Sequence, residues 1–267
     1  MTGTGHLRCG AQADGASARA ARTRYSARSD RVLPGRLFTL EPSEHTERLR
    51  MARGIKAIIF DCDGTLVDSE TPGLDVLYEE AVKLGVDLSR EEVHAEFRGK
   101  RMALCIEAIG RRLAQRPASF EADFTAHVRQ AMALRFNEGL NPILGALALV
   151  SRLQQPFCVA TNGPREKAEL TLGLTGLLPY FENRIFSAYD VGFWKPSPEL
   201  FLHAARAFSV EPRHCAVVED SLPGIEAGLA AGMQVYSLCQ PETVPPELAG
   251  RIEQISSLAM LDRVLHG

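Results

Sequence analysis

The sequence predicts an α/β protein: a Rossmann-type core on a parallel sheet, interrupted once by an inserted block of helices. Three observations carry this. Short apolar runs at residues 55–60, 157–161, 215–218 and 234–239 have strand length and stand among longer stretches of helical periodicity, the alternation that builds parallel sheets. The first three of these runs end on polar residues able to bind a ligand, and doubly wound sheets bind ligands beyond the carboxyl ends of their strands. Between the first and second runs, roughly 70 residues carry helical patterns and no strong strand.

The chain has 267 residues, room for one large domain and a smaller second one. A net charge of −3 gives no basic face for nucleic acid, and no apolar run approaches the length of a membrane span. A monomer without nucleic-acid or membrane partners is expected. Cys9, Cys62, Cys105, Cys158, Cys215 and Cys239 show no paired CxxC spacing, and three lie in or beside apolar runs. They read as reduced core thiols of a cytoplasmic protein.

Residues 1–50 are rich in Arg, Ala, Ser and Gly, contain no lysine and have no sustained hydrophobic period, so they are expected to remain disordered. They read either as an organelle transit peptide or as sequence upstream of a true start at Met51, the second being favoured. The core is expected to comprise residues 51–68 and 140–267, and the helical block residues 69–139. Within that block, helices are predicted at about 73–84, 89–97, 102–113 and 119–136, with Ser89 and Glu92 spaced as a capping box. Further helices are expected at 143–153, 165–174 and 199–208, an extended segment at 184–190, and a weak strand at 252–255 before a closing helix.

The first strand delivers Asp61 and Asp63. The repeat of two points both carboxylates one way and Cys62 the other, and Gly64 lets the backbone turn close to whatever is bound. Two carboxylates this close in a partly buried pocket need a cation between them or a shared proton, and an oxygen-only site suits Mg²⁺. The plainer reading is a pair of turn residues at a strand end. Arg98, Gly99, Lys100 and Arg101 form a basic cluster between two predicted helices, which reads equally as a solvated loop or as a reader of an anionic group on a substrate's far end. The second strand ends in Thr161 and Asn162, with Gly163 and Pro164 leading into a helix. Unpaired amides at such a start favour anions, although an ordinary cap has the same pattern. Lys195, fixed by Pro196 just before Ser197 and Pro198 can cap and begin a helix, is a compact charge for phosphate. Glu219 and Asp220 close another strand, followed by a helix with Gly224, Ala227, Gly228 and Ala231, whose small side chains allow tight packing.

The stretch FDCDGTLVDSE resembles the first motif of the haloacid dehalogenase (HAD) superfamily, and Thr161, Lys-Pro-x-Pro from Lys195, and Glu219-Asp220 resemble its second, third and fourth motifs. The resemblance covers nearly all of residues 51–267. It is nearest to the branch holding β-phosphoglucomutase and small sugar-phosphate phosphatases, and within it to the bacterial 6-phosphogluconate phosphatase type, where a serine usually stands in place of Thr161. It implies a HAD-like core with an α-helical cap. Asp61 is then the nucleophile forming an aspartyl-phosphate, Asp63 the general acid/base, and Thr161 and Lys195 the remaining catalytic residues. Asp61, Asp63, Asp220 and Glu219 are the candidate Mg²⁺ ligands, with Glu219 direct or one shell out. Asp61, Gly64, Thr161, Asn162 and Lys195 would surround the phosphate. Arg98, Gly99 and Lys100 would sit on the cap loop facing the substrate, following Phe97 as in related enzymes. The presence of Asp63 argues against the halide-removing branch. The expected activity is Mg²⁺-dependent hydrolysis of a small phosphorylated sugar or sugar acid. A sugar phosphomutase is the alternative within enzymes, and a catalytically idle binding protein the alternative outside them.

Overall fold

The computed structural model describes residues 54–266. The expected N-terminal extension and the Met51 start lie outside the described residues. The sheet has six parallel strands in the order β3-β2-β1-β4-β5-β6: β1 (Ala57–Phe60), β2 (Phe157–Thr161), β3 (Ile185–Ser187), β4 (Cys215–Glu219), β5 (Gln234–Ser237) and β6 (Glu253–Gln254). β1 and β4 are central, and both are buried along their whole length, as their unbroken apolar runs require. The chain order reverses between them, which opens the crevice that doubly wound sheets use for ligands.

Alternation along the strands divides the core into two layers. Ile58, Phe60, Val159 and Val218 face helices α5 (Ala146–Val150), α6 (Arg165–Leu174) and α11 (Leu258–His266). Ala57, Ile59, Ala160 and Val217 face α7 (Ala188–Val191), α8 (Glu199–Ala207) and α9 (Leu222–Ala230). A short α10 (Pro246–Ala249) precedes β6. Among the described cysteines, Cys62, Cys105, Cys158 and Cys215 are buried free thiols and Cys239 is partly exposed. No described helix is long and apolar enough to cross a membrane.

The helices between β1 and β2 are α1 (Glu70–Lys83), α2 (Arg90–Phe97), α3 (Met102–Gly110) and α4 (Phe120–Glu138), and they bury a cluster of their own around Leu77, Val93, Phe97, Ile106, Val128 and Phe136. The Ser89 capping box forms: Ser89 Oγ accepts from the Glu92 amide at 3.1 Å, and Glu92 Oε2 accepts from the Ser89 amide at 2.7 Å. Helix α1 starts three residues before its predicted position, at Glu70. Its N-cap Ser69 makes no side-chain cap, and its hydroxyl donates to Asp63.

Three other expectations are corrected. The helix predicted at 143–153 shrinks to Ala146–Val150, because the Ile143 amide donates to the Leu66 carbonyl at 2.8 Å and is spent closing the junction beneath the helical block. The segment 184–190 is extended only over Ile185–Ser187, after which Ser187 Oγ accepts from the Tyr189 amide and starts the one-turn α7. Helix α8 has Pro198, rather than Ser197, at its N-cap, with no side-chain cap.

The helical block carries an acid-sensitive ion-pair set. Asp75 meets Arg90 and His94, and Glu80 meets Lys83 and His127, the last two each at 2.7 Å. Burial pushes both carboxyls up, and their hydrogen-bonded partners, Arg90 and His94 for Asp75 and Lys83 and His127 for Glu80, outweigh it, so both lie below the ordinary carboxylate range. A folded pKa below the unfolded one stabilises fully above the unfolded value and is lost as pH falls through the folded value. Hydrogen-exchange protection of α1 and α4 is therefore expected to fall as pH drops below about 4. Protection factors constant from about pH 5 to 3 would contradict it.

Candidate active site

The Asp61 amide donates to the Val218 carbonyl at 3.0 Å, which fixes its side chain over the β1/β4 crevice. Lys195 reaches in from the loop after α7. Its Nζ donates to Asp61 Oδ1 in a short contact and to Glu219 Oε1 at 2.6 Å, and its side chain is 2% exposed. Glu219 is fully buried, and its other oxygen accepts from the Asp220 amide (3.1 Å), the Ser221 amide (3.0 Å) and Ser221 Oγ (2.8 Å). A buried carboxylate with four donors is well satisfied. Gly224 makes room for it, since a Cβ there would stand 1.9 Å from the Glu219 carboxyl carbon. Smallness at that position serves the Glu219 carboxylate, whereas sequence reading linked it to tight packing against the sheet or a bound group.

Asp220 accepts from Thr65 Oγ1 at 3.0 Å and lies over Gly64, where a Cβ would come within 2.0 Å of Asp220 Oδ2 and where φ is +86°. Only glycine meets both demands. Asp63, two residues after Asp61, accepts from Ser69 Oγ and, at 2.8 Å, from Lys167 Nζ. Sequence reading missed Lys167. The available signal was a lysine in the first turn of the helix whose start had already been read as an anion site.

Thr161 is buried, and its Oγ1 accepts from the Gly163 amide at 2.9 Å, which leaves the hydroxyl proton to donate elsewhere. Asn162 does something other than expected. Its Oδ1 accepts from the Lys195 amide at 2.8 Å and its Nδ2 donates to the Lys195 carbonyl at 3.3 Å, so its amide clamps the lysine loop where phosphate contact was expected. The basic cluster divides likewise. Arg98 Nη1 and the Gly99 amide both donate to Glu70 at 2.6 Å, and Arg101 lies 4.7 Å over the Trp194 ring. Lys100 pairs with no carboxylate among the described residues, and its ammonium stands 5.9 Å from the Phe97 ring centre. Asp61, Asp63, Lys100, Thr161, Lys195 and Asp220 all line one cavity of about 860 Å³ between the helical block and the strand ends.

Charge in this cavity is unbalanced. Burial pushes the Asp61 carboxyl up to about 7; Lys195 opposes this, while Glu219 and Asp63 add to it. Asp220 is held well above the carboxylate range by burial and by its neighbours Asp61 and Glu219. Burial also raises Asp63, but Lys167 and the hydrogen bonds from Lys167 and Ser69 win, leaving it below the usual range and ionised at neutral pH. Burial pulls Lys195 down, yet Asp61 and Glu219 outweigh it and keep the lysine charged. Oxygens of Asp61, Glu219 and Asp220 lie within 4.8 Å of one another, with one ammonium among three acids. An all-oxygen donor set with excess negative charge fits a hard divalent cation such as Mg²⁺. Glu219 already accepts from four donors, three of them on one oxygen, so Asp61 and Asp220 are the carboxylates with the most capacity left for it. The Asp63 carboxylate, expected among the ligands, points to Ser69 and Lys167 and is outside that cluster.

The family described as haloacid dehalogenase-like hydrolase matches residues 55–232. The 6-phosphogluconate phosphatase of Escherichia coli K12 is 36% identical over 208 residues, covering 78% of this chain and 93% of that protein. Hexitol phosphatase A of the same organism is 32% identical over 195 residues, covering 71% and 86%. Among solved structures, CbbY from Rhodobacter sphaeroides in complex with phosphate superposes with a TM-score of 0.67 at 26% identity, covering 78% of this chain and 96% of that one. The chain belongs to the haloacid dehalogenase-like hydrolases and is a phosphoric monoester hydrolase.

Proposed function

We propose that the protein is a Mg²⁺-dependent phosphatase for a small phosphorylated sugar acid, working through an aspartyl-phosphate on Asp61. The observation that carries this is the pairing of Asp61 with Lys195 beside a separately held Asp63, in a cavity that also contains Lys100, which has no carboxylate partner among the described residues. The E. coli relative named for 6-phosphogluconate supports the sugar-acid class.

Asp61 and Asp220 would hold Mg²⁺, which when bound offsets charge between a phosphate dianion and the attacking carboxylate. An Asp61 oxygen attacks phosphorus, forming the acyl-phosphate bond as the ester P–O bond breaks. Lys195 and the Thr161 hydroxyl donate to phosphate oxygens that gain charge. Asp63 rests ionised, and the approach of a dianionic ester raises its proton affinity, so that it arrives protonated and gives that proton to the leaving sugar oxygen. The carboxylate then takes a proton from the water that attacks phosphorus, which frees inorganic phosphate and restores Asp61. Glu219 orients Lys195, and Asn162 fixes the backbone from which it reaches. Helices α1 to α4 act as the cap, and Lys100 meets the carboxylate at the substrate's far end.

The test is inorganic phosphate release from a panel of sugar and sugar-acid phosphates, with Mg²⁺ and with chelator, for wild type and Lys100→Ala. Metal-dependent release is expected, and Lys100→Ala should raise KM for the acid about 10- to 100-fold, the worth of one charge-assisted contact, while sparing neutral sugar phosphates. Isomer formation without phosphate would favour the mutase, and an equal loss on both substrate classes would remove Lys100 from specificity.

A further inference from the structure

Two arginines of the helical block rest on two aromatic rings of the core. Arg101, just before α3, places its guanidinium 4.7 Å from the centre of the Trp194 ring. Arg129, on α4, lies 5.5 Å from the Tyr189 ring and donates to the Tyr189 hydroxyl at 3.0 Å. The two rings pack edge to face, with centres 5.5 Å apart. The four side chains thus make one continuous stack, cap–core–core–cap. Tyr189 belongs to α7, and Trp194 is the chain neighbour of Lys195, on the loop that Asn162 clamps. Neither arginine has a described carboxylate partner, and neither ring belongs to the four motifs.

We propose that Arg101, Arg129, Tyr189 and Trp194 form a clasp that seats the helical cap over the cavity and couples that seating to the loop carrying Lys195. The proposal rests on the reading of α1 to α4 as a cap. These are positioning residues: none touches the reacting atoms. Each cation–ring contact biases the seated state about 2- to 30-fold, and the two act on one rigid element.

Trp194 is the chain's single tryptophan, so its emission reports the clasp directly. Full-length wild type, Arg101→Met/Arg129→Met, and Arg101→Lys/Arg129→Lys would be compared by acrylamide quenching of Trp194, without ligand and with Mg²⁺ plus inorganic phosphate, and by kcat and KM on the best substrate of the panel. The methionine pair should raise the quenching constant of the free enzyme at least twofold and raise KM about tenfold with kcat changed less than threefold, while the lysine pair, which keeps the charge, falls between. Unchanged quenching overturns the clasp. Raised quenching with unaltered KM and kcat overturns its role in positioning. A wild type that releases phosphate from no ester would sink the phosphatase reading, while the quenching arm would still judge the clasp.

Discussion

Asp61→Asn is expected to abolish turnover, by about 10⁴-fold or more, without unfolding the protein. The amide keeps the shape of the carboxylate but lacks the anionic oxygen needed to attack phosphorus, and loss of a nucleophile removes the covalent route entirely. Stability should hold or rise. Asp61 stands among three other acids, Asp63, Glu219 and Asp220, and its removal relieves a like charge that raises the Asp220 carboxyl. Lys195 keeps Glu219 as a partner at 2.6 Å. Thermal melting and phosphate release on the same preparation separate the two effects; a variant that melts normally and turns over at the wild-type rate would exclude Asp61 as the nucleophile.

Lys195→Met should lose both activity and stability. Its ammonium is the only described cation that contacts Asp61, and removing preorganised charge at the developing phosphate oxygens costs about 10²- to 10³-fold or more. Glu219, fully buried, would be left with hydrogen bonds but no counter-charge. Breaking a buried pair by deleting one partner costs about 3–5 kcal/mol, and the three remaining donors to Glu219 place this case near the lower end. A loss of about 3 kcal/mol corresponds to roughly 6–12 °C in melting temperature for a domain of this size. Adding Glu219→Gln to Lys195→Met should restore most of the stability and none of the activity. If the double variant melted no higher than Lys195→Met alone, the stability loss would have to come from something other than the stranded charge.

The residues at the strand ends were legible because strand, turn and helix fix them locally. An apolar run followed by Asp61, Cys62, Asp63 and Gly64 can only present its carboxylates at the edge of a buried sheet, and β2, the loop after α7 and β4 bring Thr161, Lys195 and Glu219 to the same edge. What escaped was the pairing of side chains across long sequence distances. Arg98 looked free for substrate, but Glu70, 28 positions earlier, takes its guanidinium. Asn162 looked like a phosphate donor, but the Lys195 backbone, 33 positions later, takes both ends of its amide. In each case one polar group had several chemically equivalent partners, and only tertiary packing selects among them. Lys167 escaped for the same reason: a lysine in a helix's first turn is ordinary until Asp63 is seen beside it.

The central claim is that Asp61 carries the phosphoryl group. Wild-type enzyme turning over its best sugar phosphate in Mg²⁺, quenched in acid and digested, tests it by mass spectrometry of the peptide containing Asp61. A phosphoryl mass increment on Asp61, present during turnover and absent once substrate is exhausted, is the predicted result. A peptide that stays unmodified throughout turnover, while phosphate accumulates and a parallel acyl-phosphate standard survives the same quench, would contradict it.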